Sequence, residues 1–365
     1  MRRDRAVEGM GVIGPRRGRS RLVVAVPTVI RQHPPSSGAG RMWRMVLEGL
    51  VGLGVRVDIV DPPRGRQLRR APDVWLIDGH MGPLEVSQPV VAQLHEAPWM
   101  EPESDHFLDP EFGAFCRQQS DASARGASMI ITPSESSRGQ VIAAHSVAPE
   151  KVRVVPHGVD PEMFNPSRRT SGEAFVRGRG GDLPYVLFVS TVHPRKNVSG
   201  LRAAMSILAD RGVDHRLVLV VSPAPDRKDS TCLMRVAASD LPRHAGRVVA
   251  LEGLADLEVA SVMAAADVLC APSWSEGFGF AALEAMASGA PVVVSNRGSL
   301  PEVVGEAGVI VEPTAEAIAD ALESVVRDRC LAERLTRAGL DRSQMFTWEA
   351  TVAGWADVLE EAASR

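Results

Sequence analysis

At 365 residues the chain has room for two or three domains of about 150 residues each, and 45% hydrophobic with 24% charged residues is the balance of a globular protein, not a disordered or fibrous one. A formal net charge of -4 with 4% aromatic residues excludes a basic, base-stacking surface for nucleic acid. Cys116, Cys232, Cys270 and Cys330 form no C-x-x-C pair, His95-Glu96 lacks the second His of H-E-x-x-H, no D-x-D occurs, and no apolar run approaches the roughly 18 residues of a membrane span; this argues against a zinc centre, a disulfide framework and a transmembrane helix, and fits a reducing, cytoplasmic setting.

In chain order, residues 1–20 carry Arg2, Arg3, Arg5, Arg16, Arg17 and Arg19 among glycines and lack the apolar stretch of a signal peptide. They are expected to be a basic, disordered tail; an arm resting on anionic lipid at the inner face of a membrane is the second reading. Arg21–Val26, Val55–Val60, Val74–Ile77, Pro89–Leu94, Ser128–Ile131 and Val152–Val155 are short apolar runs that read as strands. Gly38-Ala39-Gly40 opens a helix through Met42, Met45, Val46, Leu50 and Leu53. Phe112–Gly126 and Ser134–His145 read as further helices, the second capped by Ser134. His95 falls just past a strand end, where ligands bind in open parallel sheets. Residues 21–160 are thus expected to form one Rossmann-like α/β domain.

Pro156–Pro184 is rich in Pro, Gly, Ser and Arg and has no sustained periodicity, so residues 161–184 are expected to be a linker. A second alternation begins at Tyr185–Val189. It runs through a helix at Val198–Arg211, strands at Arg216–Val221 and Arg247–Ala250, a helix at Asp256–Ala265, a strand at Val309–Val311 and helices at Ala315–Arg327 and Leu331–Leu340. Residues 185–346 are expected to be a second Rossmann-like domain. In the closing helix, Trp348–Ala363, Trp348, Val352, Trp355 and Leu359 recur at helical spacing, so residues 347–365 are expected to pack back towards the first domain. The fold class is α/β, two doubly wound domains facing each other across a cleft, with domain motion the default.

The stretch that organises the second domain is Ser273-Trp274-Ser275-Glu276-Gly277-Phe278-Gly279-Phe280-Ala281-Ala282-Leu283-Glu284. It follows the apolar strand Ala266–Ala271 and leads into a helix, Ala281–Ser288, stopped by Gly289 and Pro291. Strand, glycine loop and helix together aim the free N–H groups of a helix start at the loop, where an anion is favoured. Glu276 and Glu284 add acceptors for sugar hydroxyls. A Glu pair is common by chance among 45 acidic residues, so the pair alone says little. Gly277, Gly279 and Ala282 also fit the dinucleotide pattern G-x-G-x-x-G/A. The next strand, Pro291–Asn296, ends without the acidic residue that pattern needs for a ribose, which ranks a dehydrogenase below a sugar-nucleotide site.

Pro272–Phe280 continued through Glu284–Val293 resembles the signature of the retaining GT-B glycosyltransferases of family 4, and Ser299–Gly305 extends the match. Pro156-His157-Gly158-Val159-Asp160 resembles that family's interdomain element, His193-Pro194-Arg195-Lys196-Asn197 its diphosphate loop, and Gly38-Ala39-Gly40-Arg41 its N-terminal glycine loop. The resemblance spans nearly the whole chain after the tail. It implies a GT-B fold and, by position, a set of roles. Arg195 and Lys196 would hold the donor diphosphate; cations are disfavoured at a helix start unless an anion is present. Glu284 would accept from the ribose hydroxyls. Glu276, with Gly277, Phe278, Gly279 and Phe280, would hold the transferred sugar. Gly38, Ala39 and Gly40 would let backbone approach the diphosphate or the acceptor. His95 would lie opposite, near the reacting sugar; a lone His is more often structural than catalytic. His157 and Asp160 would shape the hinge. Ser190 stands where relatives often carry Gly, which leaves Arg195 and Lys196 as the diphosphate grip.

The activity implied is transfer of a hexose, mannose as first guess, from a nucleoside diphosphate sugar to an acceptor hydroxyl with retention at the anomeric carbon. No cofactor and no metal are expected, since two cations beside two phosphates neutralise the leaving group. The expected partners are the donor and a glycan, glycolipid or small-molecule acceptor, with peripheral membrane contact as an extension and no nucleic acid. Two other readings keep the fold: a catalytically degenerate scaffold or binding protein, and a sugar-nucleotide epimerase.

Overall fold

The computed structural model describes residues 22–33, 37–60, 71–179, 184–223, 234–235, 237–241 and 246–365. The basic tail and Cys232 lie outside the described residues. The first sheet holds β1 (Val23–Pro27), β2 (Arg56–Val60), β3 (Val74–Asp78), β4 (Val90–Gln93), β5 (Met129–Thr132) and β6 (Val152–Val154) in the order β2-β1-β3-β4-β5-β6. The second holds β7 (Tyr185–Val192), β8 (Arg216–Pro223), β9 (Val248–Glu252), β10 (Val268–Ala271), β11 (Val292–Ser295) and β12 (Val309–Val311) in the order β12-β11-β10-β7-β8-β9. Every strand pairing is parallel. The central strands are Val- and Leu-rich and buried along their whole length, as at Val74–Asp78 and Val268–Ala271. Such a run is stable only with helices on both faces.

Those helices are α1 (Gly38–Gly52), α2 (Pro110–Gly126), α3 (Glu135–His145), α4 (Arg169–Arg177), α5 (Val198–Asp210), α6 (Asp256–Ala265), α7 (Phe280–Ala287), α8 (Leu300–Val304), α9 (Ala315–Arg327), α10 (Arg329–Ser343) and α11 (Trp348–Ala363). Each sheet therefore divides the core of its lobe into two apolar layers. The last helix belongs to the first lobe. Trp348, Val352, Trp355, Val358 and Leu359 of α11 share one layer with Met42, Trp43, Val46 and Leu50 of α1, and the Trp43 and Trp355 rings meet edge to face at 5.4 Å. Gly49 admits this approach: a Cβ there would lie 2.3 Å from Val352 Cγ2.

The chain thus passes between lobes twice, and the passages touch. Val159 N donates to Phe346 O (3.0 Å), Thr351 Oγ1 donates to Pro156 O (2.8 Å), and a Cβ on Gly158 would sit 2.3 Å from Trp348 N.

Residues 161–184, expected to be a linker, carry α4. It packs on α6 so closely that a Cβ on Gly172 would meet Ser261 O at 1.9 Å, and it buries Val176 fully. This nine-residue helix, ending in Arg169 and Arg177, lies in a stretch whose Pro, Gly, Ser and Arg content reads as loop.

Strand order locates the crevices. In the first sheet the connections reverse between β1 and β3; in the second they reverse between β7 and β10. Ligands of doubly wound sheets sit beyond the strand C-termini at such points, and these ends face each other across the cleft.

Candidate active site

β7 runs into a single tight turn, Pro194–Lys196, and then α5. Asn197 joins them in the left-handed region (φ 54°), which Asn tolerates better than most residues. Its buried amide donates to Pro272 O (3.1 Å) and Pro313 O (2.9 Å), while its Oδ1 accepts from Gly200 N at the start of α5. The turn bearing Arg195 and Lys196 is thereby fixed to the loop after β10. That loop is held in turn from β11: Ser295 Oγ donates to Ser273 O (2.5 Å) and Ser299 N to Glu276 O (2.9 Å). Gly298 (φ 57°) passes so near that a Cβ would lie 2.4 Å from Glu276 O.

Four charged groups meet there. Lys196 Nζ donates to Glu276 Oε1 at 2.6 Å, and Ser273 Oγ donates to the same oxygen at 3.1 Å. Arg195 Nη1 donates to Ser275 O (2.8 Å) and is ion-paired with Glu96 Oε1 (2.8 Å), with Glu276 Oε2 at 3.8 Å. Glu96 comes from the first lobe, just beyond β4, and its other oxygen accepts from Ser275 Oγ at 3.1 Å. Burial pushes the Lys196 ammonium below its ordinary value, with Arg195 acting in the same direction and Glu276 against it. Burial also opposes ionisation of Glu276, but Lys196, Arg195 and the hydrogen bonds outweigh it and hold the carboxyl below its usual value.

Glu284 lies on α7, 4% exposed, and pairs with Arg41 of α1 across the cleft. Burial raises its carboxyl to about 7 in spite of Arg41. Phe280, at the start of α7, faces Gly38, where a Cβ would be 3.1 Å from its ring. Gly279 turns the chain into α7 at φ 95°, and no side chain caps that helix. A Cβ on Gly277 would lie 2.7 Å from His95 O, and Ser134 Oγ and Ser137 Oγ both donate to Gly277 O, at 2.9 and 3.0 Å. Glu302 of α8 accepts from Glu135 N and Ser136 N (3.0 and 3.3 Å), an acidic cap on α3 supplied by the opposite lobe.

His95 Nδ1 lies 3.4 Å from the Gln93 side-chain amide, and the other ring nitrogen is Nε2. That nitrogen is buried and has no partner among the described residues. Burial lowers the ring's pKa, so it is neutral at pH 7. His157 is buried between Phe280 (stacked, 5.0 Å) and Phe278 (edge, 4.9 Å), and Asp160 accepts from Glu162 N and Met163 N. Both shape the chain crossing.

The structure therefore gathers Arg195, Lys196, Glu276, Gly277, Phe278, Gly279 and Phe280 at the β7/β10 crevice, with His95 and Gly38 opposite. Ala39 and Gly40 lie in the first turn of α1, where the Gly40 amide donates to Ser37 Oγ (3.0 Å), so these two serve the start of that helix. Three residues escaped sequence reasoning: Glu96, Arg41 as the partner of Glu284, and Asp78. Asp78 closes β3, is 1% exposed, and accepts from His33 Nε2 (2.9 Å), His80 N (3.0 Å) and Trp43 Nε1 (3.4 Å). Burial opposes its ionisation, yet His33 and His80 hold it well below the usual carboxylate range. A signal existed for each, an acidic residue just past a strand end or an Arg closing a glycine loop. Among the described residues no three His, Cys, Asp or Glu side chains converge as a metal site would need, and no helix is long and apolar enough to cross a membrane.

Comparison with known proteins agrees with this geometry. Residues 83–163 match the Glycosyltransferase Family 4 domain and residues 183–328 the Glycosyl transferases group 1 domain. The chain is 35% identical over 250 residues to MMP alpha-(1->4)-mannosyltransferase of Mycolicibacterium hassiacum, covering 66% of this chain and 56% of that protein. It is 30% identical over 226 residues to D-inositol 3-phosphate glycosyltransferase of Corynebacterium glutamicum, covering 59% and 52%. It thus spans a little over half the length of these curated relatives. Its fold is that of sucrose-phosphate synthase from Thermosynechococcus elongatus (TM-score 0.76, 19% identity, 93% of this chain and 99% of that one) and of Anabaena HepE in complex with UDP and glucose (TM-score 0.69, 18% identity, 93% and 99%). With both domains matched in chain order on two facing parallel sheets, the chain belongs to the group 1, family 4 glycosyltransferases of GT-B fold.

Proposed function

We propose that the chain transfers a hexose from a nucleoside diphosphate sugar to an acceptor hydroxyl, with retention and without a metal ion. The observation that carries this reading is the placement of Arg195 and Lys196 side by side at the β7/β10 crevice, pinned by Asn197 and facing Glu276. Two cations there suit two phosphates. In this mechanism the bond from the anomeric carbon to the phosphate oxygen breaks and the acceptor oxygen bonds on the same face. The departing phosphate oxygen takes the acceptor's proton, so no protein base is required. Catalysis is then positioning and stabilisation of the leaving diphosphate.

The other roles follow from position. Glu276 accepts from sugar hydroxyls, and the Lys196 ammonium, with three donors, can hold Glu276 and a phosphate oxygen together. His95, whose buried Nε2 has no partner among the described residues, hydrogen-bonds a sugar hydroxyl from the first lobe. Glu284 accepts from the ribose. A mannosyl donor is favoured because the Mycolicibacterium relative is named a mannosyltransferase, as is the O-antigen chain mannosyltransferase B of Escherichia coli, 30% identical over 224 residues. The acceptor hydroxyl belongs to a glycan, a glycolipid or a small molecule.

Thermal unfolding with saturating GDP, UDP or dTDP tests the reading. One of them should raise the melting temperature by several degrees, and the corresponding nucleotide sugar should then be turned over at the same rate in EDTA. No response to any of the three favours the scaffold. Isomerised donor without acceptor identifies an epimerase, and an inverted product overturns retention. Complete loss in EDTA, restored by a divalent ion, overturns the metal-free step.

A further inference from the structure

Arg195, Lys196, Glu96 and Glu276 are two cations and two carboxylates packed within a few ångströms, so their formal charges cancel. A diphosphate entering such a site brings about two more negative charges into a poorly solvated cleft. An uncompensated charge there is costly, so one carboxylate must give way. Glu276 is tied to its own lobe by Lys196 and Ser273. Glu96 is tied only across the cleft in the contacts described: Oε1 to Arg195 Nη1 at 2.8 Å and Oε2 to Ser275 Oγ at 3.1 Å. Its Oε1 therefore sits on the guanidinium nitrogen that a phosphate oxygen would use.

We propose that Glu96 is a gate on donor binding, an internal carboxylate that competes with the donor's diphosphate for Arg195 and is displaced by it. The proposal rests on the assignment of Arg195 to the diphosphate. Its consequence is selectivity by charge. A ligand with strongly anionic oxygens exchanges places with Glu96, whereas the nucleoside portion alone gains nothing from Arg195 and leaves the cross-lobe contact in place. The pair of Arg41 with Glu284 meets the ribose-side carboxylate in the same manner, a first-lobe charge opposite a second-lobe one.

The test is calorimetric titration of the full chain with GDP, UDP and dTDP and with guanosine, uridine and thymidine, for wild type and Glu96→Gln. The amide keeps the shape and removes the competing charge. The variant should bind the preferred nucleoside diphosphate about tenfold more tightly, the scale of one charge-assisted contact no longer broken on binding, while affinity for its nucleoside is unchanged. A residue that merely holds the fold together would shift both ligands or neither. Should Glu96→Gln fail to fold, Ser275→Ala loosens the carboxylate's second hold and should tighten diphosphate binding in the same sense by about threefold. Unchanged or weaker diphosphate binding in these variants overturns the gate while leaving the transferase reading intact. If wild type binds none of the three diphosphates, the assignment of Arg195 falls and the gate falls with it.

Discussion

Lys196→Met separates what the buried cation does for the fold from what it does for the reaction. The Lys196 and Glu276 side chains are 13% and 15% exposed and touch at 2.6 Å. At an effective dielectric of about 20 the gross attraction at that distance is about 6 kcal/mol, much of it offset by desolvation. Removing one partner of such a pair costs about 3–5 kcal/mol. The lower end, about 3 kcal/mol, is expected here, because Ser273 still donates to Glu276 and Arg195 lies 3.8 Å away. Adding Glu276→Gln to Lys196→Met removes the stranded carboxylate and should recover most of that loss in urea unfolding. Turnover of the preferred nucleotide sugar should fall about 10²–10³-fold in Lys196→Met, as for loss of one donor to a developing oxyanion, and should stay low in the double variant. A double variant that regains turnover, or a single variant that never lost it, refutes the assignment of Lys196 to the diphosphate.

His157→Phe should flatten the acid limb of stability. Both His157 ring nitrogens are buried without partners among the described residues, and burial holds the ring well below its usual pKa. The unfolded ring takes up a proton near pH 6.5 and the folded ring does not, so the stability this group contributes is present above that pH and is lost as the pH falls below it. Urea unfolding at pH 7.5, 6.0 and 5.0 should show a smaller fall for the variant and a gain of about 1 kcal/mol at pH 7.5; an unchanged profile counts against the unsatisfied ring. Gly277→Ala places a Cβ 2.7 Å from the His95 carbonyl oxygen, and backbone on both sides cannot give way cheaply. Small-angle scattering should show a larger radius of gyration and turnover should drop about 100-fold, with nucleoside diphosphate binding retained; unchanged scattering and rate would show that the lobes need not meet there.

Much of this architecture is legible in the sequence because buried parallel strands carry their own signal. Val23–Pro27, Val90–Gln93 and Val292–Ser295 are β-branched runs bounded by polar or glycine-containing loops, and the regular strand–helix alternation leaves few topologies. The anion-binding loop is legible too, since Glu276 to Phe280 must lie between a strand and a helix whatever the rest does. The cross-lobe pairs are not. Glu96 is 99 positions from Arg195 and Arg41 is 243 from Glu284, and no periodicity links residues that meet only when two separate sheets face each other. The same holds for Asp78 and His33, brought together by the β1/β3 crossover. Helix α4 was hidden for a different reason: it lies in a stretch rich in Pro, Gly, Ser and Arg, and it is held by Val176, the half-buried Phe175 and the close passage of Gly172 over α6.

The contact of Gly158 with the backbone at Trp348 has a mechanical consequence. Two halves joined by one thread can tumble in any direction; joined by two threads lying side by side, they keep a single easy degree of freedom, the swing of a jaw about the line where the threads meet. A small rotation at that fulcrum carries Gly277 towards or away from His95 along a fixed arc. Registry between the two rims is therefore inherited from the covalent path of the backbone and does not have to be found again at each cycle.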